Sequence, residues 1–120
     1  MDEAAIGEAL DSERADAAAR LGAVQAEFDE IVSGSMDANG DDEHDPEGAT
    51  VAFERSRVAA LVVRSQTRID EIDRALARLG AGMYGRCEQC RGDIGADRLS
   101  ARPTTTTCIR CASGTTGPYR

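Results

Sequence analysis

Four cysteines are the residues of this 120-residue chain best suited to chemistry: Cys87, Cys90, Cys108 and Cys111. They read C-x2-C, then 17 residues, then C-x2-C, which falls within the C-x2-C-x15-20-C-x2-C spacing of tetrahedral zinc sites. Zn2+ favours soft thiolates at about 2.3 Å, and two residues inside each pair let one tight turn aim both sulfurs at a single point. Four cysteines fill the tetrahedron and leave no position for a catalytic water, so one structural zinc ion is expected and a catalytic metal is not. The chain begins MDEAAIGEALDSE, acidic where a secretory leader is basic and then apolar, so export and structural disulfides are not expected. A redox C-x-x-C would ordinarily stand beside a βαβ pattern, which is missing.

The residues between the pairs suit a small ligated module over 81–115, followed by a short tail, 116–120. Gly85 before Cys87 and Gly92 after Cys90 supply permissive turns, and Pro103 stops any helix before the second pair. Arg98–Leu99 and the β-branched run Thr104–Thr107 are expected to form short strands of a zinc ribbon. With little apolar mass in this stretch, ligation is expected to supply most of its folding free energy, on the order of 10 kcal/mol.

The elements that must carry this module are helical. Val58, Val62, Ser65, Ile69, Ile72, Leu76 and Leu79 recur at alternating spacings of four and three, a heptad seam. Leu10, Ala17, Leu21, Val24, Phe28 and Ile31 make a matching stripe upstream. The chain contains two Phe, two Tyr and no Trp against 41% apolar residues, which argues for a narrow helical seam over a sheet-on-sheet core. The fold class expected is therefore mainly α: a long antiparallel helical hairpin, or coiled coil, over 1–80, followed by a small zinc-ribbon-like module with four cysteine ligands. The second helix should run from about Pro46 to Leu79, with Gly80 and Gly82 ending it. Gly34, Asn39, Gly40, Pro46 and Gly48 interrupt the periodicity and place a tip at about 35–48.

Charge divides the chain. The formal net charge of -8 combines -13 over residues 1–48 with +5 over residues 49–120, and every cation is Arg. An acidic half repels nucleic acid, while the Arg-bearing half can meet phosphate or an acidic protein surface. No window approaches a membrane span. A stiff hairpin with an acidic tip and a metal-bound knob implies reach toward a buried site, not an enzyme pocket, and the chain is expected to be cytoplasmic and non-enzymatic. On the exposed face of the second helix, Asp70 and Glu71 are expected to pair with Arg74 for about 0.2–0.5 kcal/mol each, and the remaining charges to be solvated.

The run MYGRCEQCRGDIGADRLSARPTTTTCIRCA resembles the zinc-finger signature of the DksA/TraR family of bacterial regulators. The resemblance rests on Gly82, Tyr84, Gly85, Cys87, Cys90, Ile94, Gly95, Arg98, Leu99, Ala101, Arg102, Pro103, Cys108 and Cys111. It implies an RNA polymerase-binding transcription regulator that inserts its acidic coiled-coil tip into the secondary channel and alters the lifetime of promoter complexes. The family's tip carries two acids three residues apart, followed two residues later by Ala. Asp42 and Asp45 have the acid spacing but are followed by Glu47; a gapless count back from Cys87 instead places Glu47 as second acid, Ala49 as the alanine and His44 at the first acid. Asp42, Glu43, Asp45, Glu47 and Ala49 form the expected effector set under one register or the other. The plain alternative is that DDEHDPE is a polar turn. His44 is read as a solvated turn residue, and no magnesium site is assigned to the acids.

A second departure concerns the alarmone guanosine tetraphosphate. Arg102 matches a family basic position that contacts the polymerase or the alarmone, but Ala112 follows the last cysteine and Glu71 stands at the corresponding helix position, so weak or no alarmone dependence is expected. Three other readings are open. A zinc-ribbon nucleic-acid binder would use Arg86, Arg91, Arg98, Arg102 and Arg110 on phosphates; a zinc-thiolate redox sensor would release metal on oxidation; a transcript-cleavage factor would share the tip-in-channel geometry. Sequence-specific DNA contact and a membrane partner are not expected. A monomer is expected, with Phe53 the residue that would recruit a second copy.

Overall fold

The computed structural model describes the backbone of residues 2–37 and 46–114 and the side chains of 2–34 and 48–114. Helix α1 spans Glu3–Asp37 and helix α2 spans Pro46–Gly80. Two short helices follow, α3 (Ala96–Ala101) and α4 (Ile109–Ala112). The mainly helical class read from the heptads holds. Helix α1 starts where Asp2 accepts the Ala5 N–H at 3.2 Å, satisfying one of the first-turn donors that no intrahelical carbonyl can reach. It then runs through Gly34 to Asp37, and α2 is already helical at Pro46–Gly48, so both helices reach into the stretch read as the tip. A helical glycine costs only about 1 kcal/mol relative to Ala, too little to end a long helix. Asp42, Glu43, His44 and Asp45 lie outside the described residues; Glu47 and Ala49 fall in the first turns of α2, with Ala49 exposed.

The C-terminus of α2 closes as a Schellman motif. Met83 N–H donates to the Arg78 carbonyl at 2.8 Å and Gly82 N–H to that of Leu79 at 3.1 Å. The motif needs a left-handed residue, and Gly82 takes φ 75° without a Cβ clash.

The chain divides into two compact units, Met1–Arg14 with Asp70–Arg120, and Ala15–Ile69. In the first, the start of α1 packs antiparallel on the end of α2. Leu10, Ile72 and Ala75 are buried there, a Cβ on Gly7 would lie 3.5 Å from the Leu79 side chain, and Arg14 grips Asp73 through both carboxylate oxygens at 2.6 and 3.2 Å. In the second unit Ala17, Val58 and Ile69 are buried, Leu21, Val24, Phe28 and Ile31 are half-buried, and Arg57 bridges Glu27 and Glu54 at 3.3 and 2.7 Å. Every expected seam residue on both helices is thus buried or half-buried. Phe53, at 71% exposure, lies off the seam.

The expected strands at Arg98–Leu99 and Thr104–Thr107 are absent. Arg98 and Leu99 are helical, within α3, and among the described residues the β structure is one isolated antiparallel bridge, Arg86–Asp93. Ala96, Arg98, Leu99 and Ala101 are strong helix formers, and the helix ends at Arg102 (φ -135°, ψ 80°) because the residue before a proline is driven out of the α region. Arg74 turns to Glu88 at 3.1 Å, an ion pair beyond those expected with Asp70 and Glu71.

Two outcomes are expected. Ile72→Ala should lower stability by about 2–5 kcal/mol in chemical denaturation, whereas Phe53→Ser should change it by less than about 0.5 kcal/mol. The hydrogen bonds from Arg14 hold the Asp73 carboxyl below its ordinary value; desolvation opposes them and the Arg14 charge adds a smaller lowering. The pair's contribution is therefore complete above the unfolded value of about 3.9 and lost as pH falls through the lower folded value. The melting-temperature gap between the parent and Asp73→Asn should close as pH falls toward about 2.

Candidate metal centre

The first cysteine pair sits in a knuckle built by its own backbone. Gly85, at φ 88°, reverses the chain and its carbonyl accepts the Ile94 N–H at 2.8 Å, while Cys87 N–H donates to the Gly92 carbonyl at 2.8 Å and Arg91 N–H to that of Cys87 at 3.0 Å. These bonds fold residues 85–94 back on themselves and leave N–H groups facing sulfur. Cys90 N–H points at Cys87 Sγ at 3.5 Å and Gly92 N–H at Cys90 Sγ at 3.4 Å. The left-handed position in the turn after Cys90 is Arg91, at φ 66°, and not the expected Gly92; a Cβ on Gly92 would instead meet Cys90 Sγ at 3.4 Å. Cys108 caps α4, whose single turn places Cys111 three residues on, with the Ala112 N–H returning to the Cys108 carbonyl at 2.9 Å.

The four expected ligands come together. Their Sγ atoms lie within 4.8 Å of one another, with Cys90 and Cys108 at 3.8 Å. Four sulfurs at about 2.3 Å from a tetrahedral zinc stand about 3.8 Å apart, so the donor set fits that ion. Disulfide bonding requires about 2.05 Å, and all four cysteines are free. Cys87, Cys108 and Cys111 are buried and Cys90 is exposed. Burial opposes ionisation of Cys87, yet backbone N–H groups of Cys90, Cys108 and Gln89, with the Cys111 thiol, outweigh it and hold the Cys87 thiol down at about 6. The Cys108 thiol is lowered too, by the Cys111 N–H first, against burial. Thiolates are the form a metal takes.

Around the sulfurs runs a set of contacts that sequence reasoning missed. Glu88 N–H donates to the Thr106 carbonyl at 2.8 Å, tying the two cysteine halves together. Arg98 donates to the Thr107 carbonyl at 2.9 Å and to Thr105 Oγ1 at 3.3 Å, so the threonine run is held by a guanidinium in place of a ladder. The Tyr84 hydroxyl donates to the Pro103 carbonyl at 2.8 Å; desolvation, then the Glu13 carboxylate, raise its pKa. Arg78, read as a solvated helix residue, has a side chain only 18% exposed and paired with Glu88 at 3.8 Å. It also donates to the carbonyls of Met83 and Arg86. Each contact joins residues far apart in sequence or uses a carbonyl, and neither leaves a periodic signal. Ile94 and Leu99 are buried with the cysteines, and Tyr84 packs on them. Arg102 is exposed at the C-cap of α3.

Chelation is expected to raise amide exchange across Cys87–Ile94 and α4 while leaving Val58–Ile69 slow; equal protection with and without chelator would contradict the ligand assignment. Tyr84→Phe should cost about 1 kcal/mol in denaturation without lowering bound zinc by elemental analysis.

Residues 82–116 match the family described as the prokaryotic dksA/traR C4-type zinc finger. The chain is 43% identical over 58 residues to the RNA polymerase-binding transcription factor DksA of Caulobacter vibrioides, covering 47% of this chain and 41% of that protein. It is 40% identical over 48 residues to the factor of the same name from Escherichia coli K12, covering 40% and 32%. The matched stretches thus span less than half the length of these curated relatives. Among solved structures, transcription factor DksA2 from Pseudomonas aeruginosa superposes with a TM-score of 0.78 at 29% identity, over 93% of this chain and 81% of that one. Among the described residues no helix is long and apolar enough to cross a membrane. With four clustered sulfurs inside the matched stretch, residues 82–116 carry a C4-type zinc finger of the dksA/traR kind, in a chain whose fold resembles that of DksA2.

Proposed function

We propose that this protein binds RNA polymerase and regulates transcription initiation, presenting the acidic stretch between α1 and α2 to the secondary channel. The observation that carries the reading is the four-sulfur cluster set within a stretch matching the family finger, in a chain whose relatives bear the name RNA polymerase-binding transcription factor. One zinc ion, held by Cys87, Cys90, Cys108 and Cys111, supplies structure by tying two backbone turns together. Asp42, Glu43, Asp45 and Glu47, with Ala49, form the effector stretch. The physical logic is electrostatic: 15 acids fall in residues 1–48, and a carboxylate cluster is drawn to a basic channel rim and its magnesium. The role is regulatory and not catalytic, the setting is the bacterial cytoplasm, and sequence-specific DNA contact has no part in it. Arg102, exposed beside the finger, is available to the polymerase surface, and alarmone dependence is weak.

One observation favours a second reading. Cys90 is exposed at the sulfur cluster while the other three cysteines are buried, and an accessible ligand sulfur is where an oxidant acts, so a thiol-based sensor that releases zinc is the alternative. Zinc release under mild peroxide with no affinity for polymerase would move that reading to the front.

The test is binding of zinc-loaded protein to purified core RNA polymerase, beside a secondary-channel competitor and a variant with Asp42, Asp45 and Glu47 changed to Ala. Displacement by the competitor, and a variant that binds but no longer alters open-complex lifetime, are the expected results. Failure to bind at about micromolar concentration, or binding indifferent to the competitor, would overturn the proposal.

A further inference from the structure

We propose that a groove between the first turns of α1 and the finger is the seat of this chain's own C-terminal segment, with the Tyr119 ring in the groove and the Arg120 guanidinium against its acidic edge. The groove measures about 410 Å³ and is lined by Ile6 and Leu10 of α1 and by Tyr84 and Leu99 of the finger. That volume lies within the roughly 300–1,000 Å³ of sites that take a ligand-sized group. Leu10 and Leu99 are buried, whereas Ile6 and Tyr84 are half-buried and Ala9, also in the lining, is exposed. The charged residues of the lining are two acids, Asp2 and Glu13. The Glu13 carboxylate stands close enough to the Tyr84 hydroxyl to help raise its pKa, after desolvation. Asp2 accepts the Ala5 N–H at 3.2 Å through one oxygen, and a carboxylate with about four lone-pair sites keeps room for a guanidinium. An apolar hollow edged by carboxylates fits a flat apolar group that carries a cation.

Composition and reach identify the occupant. Residues 115–120, TTGPYR, lie outside the described residues; they hold an aromatic followed directly by a cation, and no acid. The other aromatics are placed elsewhere. Phe28 is half-buried in the seam, Phe53 belongs to the other compact unit, and Tyr84 is itself part of the groove. The chain also leaves the finger close by. Cys111 is buried in the same cluster as Leu99, with Tyr84 packed on it, and the Gly114 N–H returns to the Cys111 carbonyl at 3.1 Å. Gly114 takes φ 74°, the left-handed position that turns a chain off a helix axis. The five residues from Gly114 to Tyr119 span about 17 Å when extended, and Pro118 favours an extended residue before it. A tethered group meets its site at about millimolar effective concentration, so a modest contact holds it and a second copy at micromolar concentration does not displace it. Docked in this way, the segment joins the start of α1 to the finger by a contact separate from the metal. The inference does not depend on the polymerase reading.

The test is nuclear Overhauser spectroscopy of the full zinc-loaded chain, without polymerase, for the parent, Tyr119→Phe, Tyr119→Ser and Ala9→Arg. Ala9 is exposed on α1 and Arg is a strong helix former, so that variant should keep the helical circular dichroism and the bound zinc of the parent while its charge and bulk oppose Arg120 and fill the groove. Cross-peaks from the Tyr119 ring to the Ile6 and Leu99 methyl groups are expected in the parent and, from the Phe ring, in Tyr119→Phe. They should be lost in Ala9→Arg, and the methyl shifts of Ile6 and Leu99 should move in Tyr119→Ser. No cross-peaks in the parent would overturn the proposal, and this outcome needs no variant to fold. Cross-peaks that survive Ala9→Arg would overturn it as well. Cross-peaks that fade on dilution would give the groove to the segment of a second copy and likewise overturn it.

Discussion

Bringing four cysteine sulfurs within 4.8 Å of one another is the constraint on which the rest of residues 81–114 depends. Thiolates this close repel, and backbone N–H groups relieve only part of that repulsion. The hydrogen bonds to Cys87 and Cys90 hold sulfur in place, and those to Cys87 favour its ionisation, which sharpens the need for a cation. A divalent ion would resolve the conflict and, in doing so, convert two independent turns into one closed unit. The bond from Glu88 N–H to Thr106 and that from Tyr84 to Pro103 then cross a connection that has little apolar mass of its own. Among the described residues Ile94 and Leu99, with Tyr84 against them, pad Cys87, Cys108 and Cys111.

The finger is also fastened to α2 through polar side chains. Arg78 in the last turn donates to two carbonyls of the entering chain and pairs with Glu88, which Arg74 also reaches. A guanidinium with five donors in a fixed fork can hold several acceptors that belong to no regular ladder, which a lysine cannot do. Arg98 does the same for the threonine run. An arginine-only cation content is thus used structurally around the finger as well as for surface charge.

Much of this could be read in the sequence, for a physical reason. Ligand spacing is dictated by covalent reach, so the cysteine pairs by themselves announce a tetrahedral site, and heptad spacing is dictated by helix pitch, so the seam from Val58 to Leu79 is equally plain. What escaped was short or non-local. Arg98–Leu99 is too brief to carry a period, and the helix formers around it, with Pro103 behind, decide for α3 over a strand. Arg91 adopts the left-handed turn that a glycine next door invites. Arg78 and Tyr84 reach carbonyls, and a carbonyl is the same at every residue, so no side-chain pattern marks the partner. Gly34 misled in the other direction: a single glycine is a weak stop against a continuing apolar stripe, and α1 passes through it.

The most direct test of this account is X-ray absorption at the zinc edge on the purified protein. Four sulfur neighbours at about 2.3 Å, with no nitrogen or oxygen in the coordination sphere, is the result the account predicts. A sphere with fewer sulfurs and a water or nitrogen ligand would contradict it, because an open position would turn a structural clamp into a reactive metal.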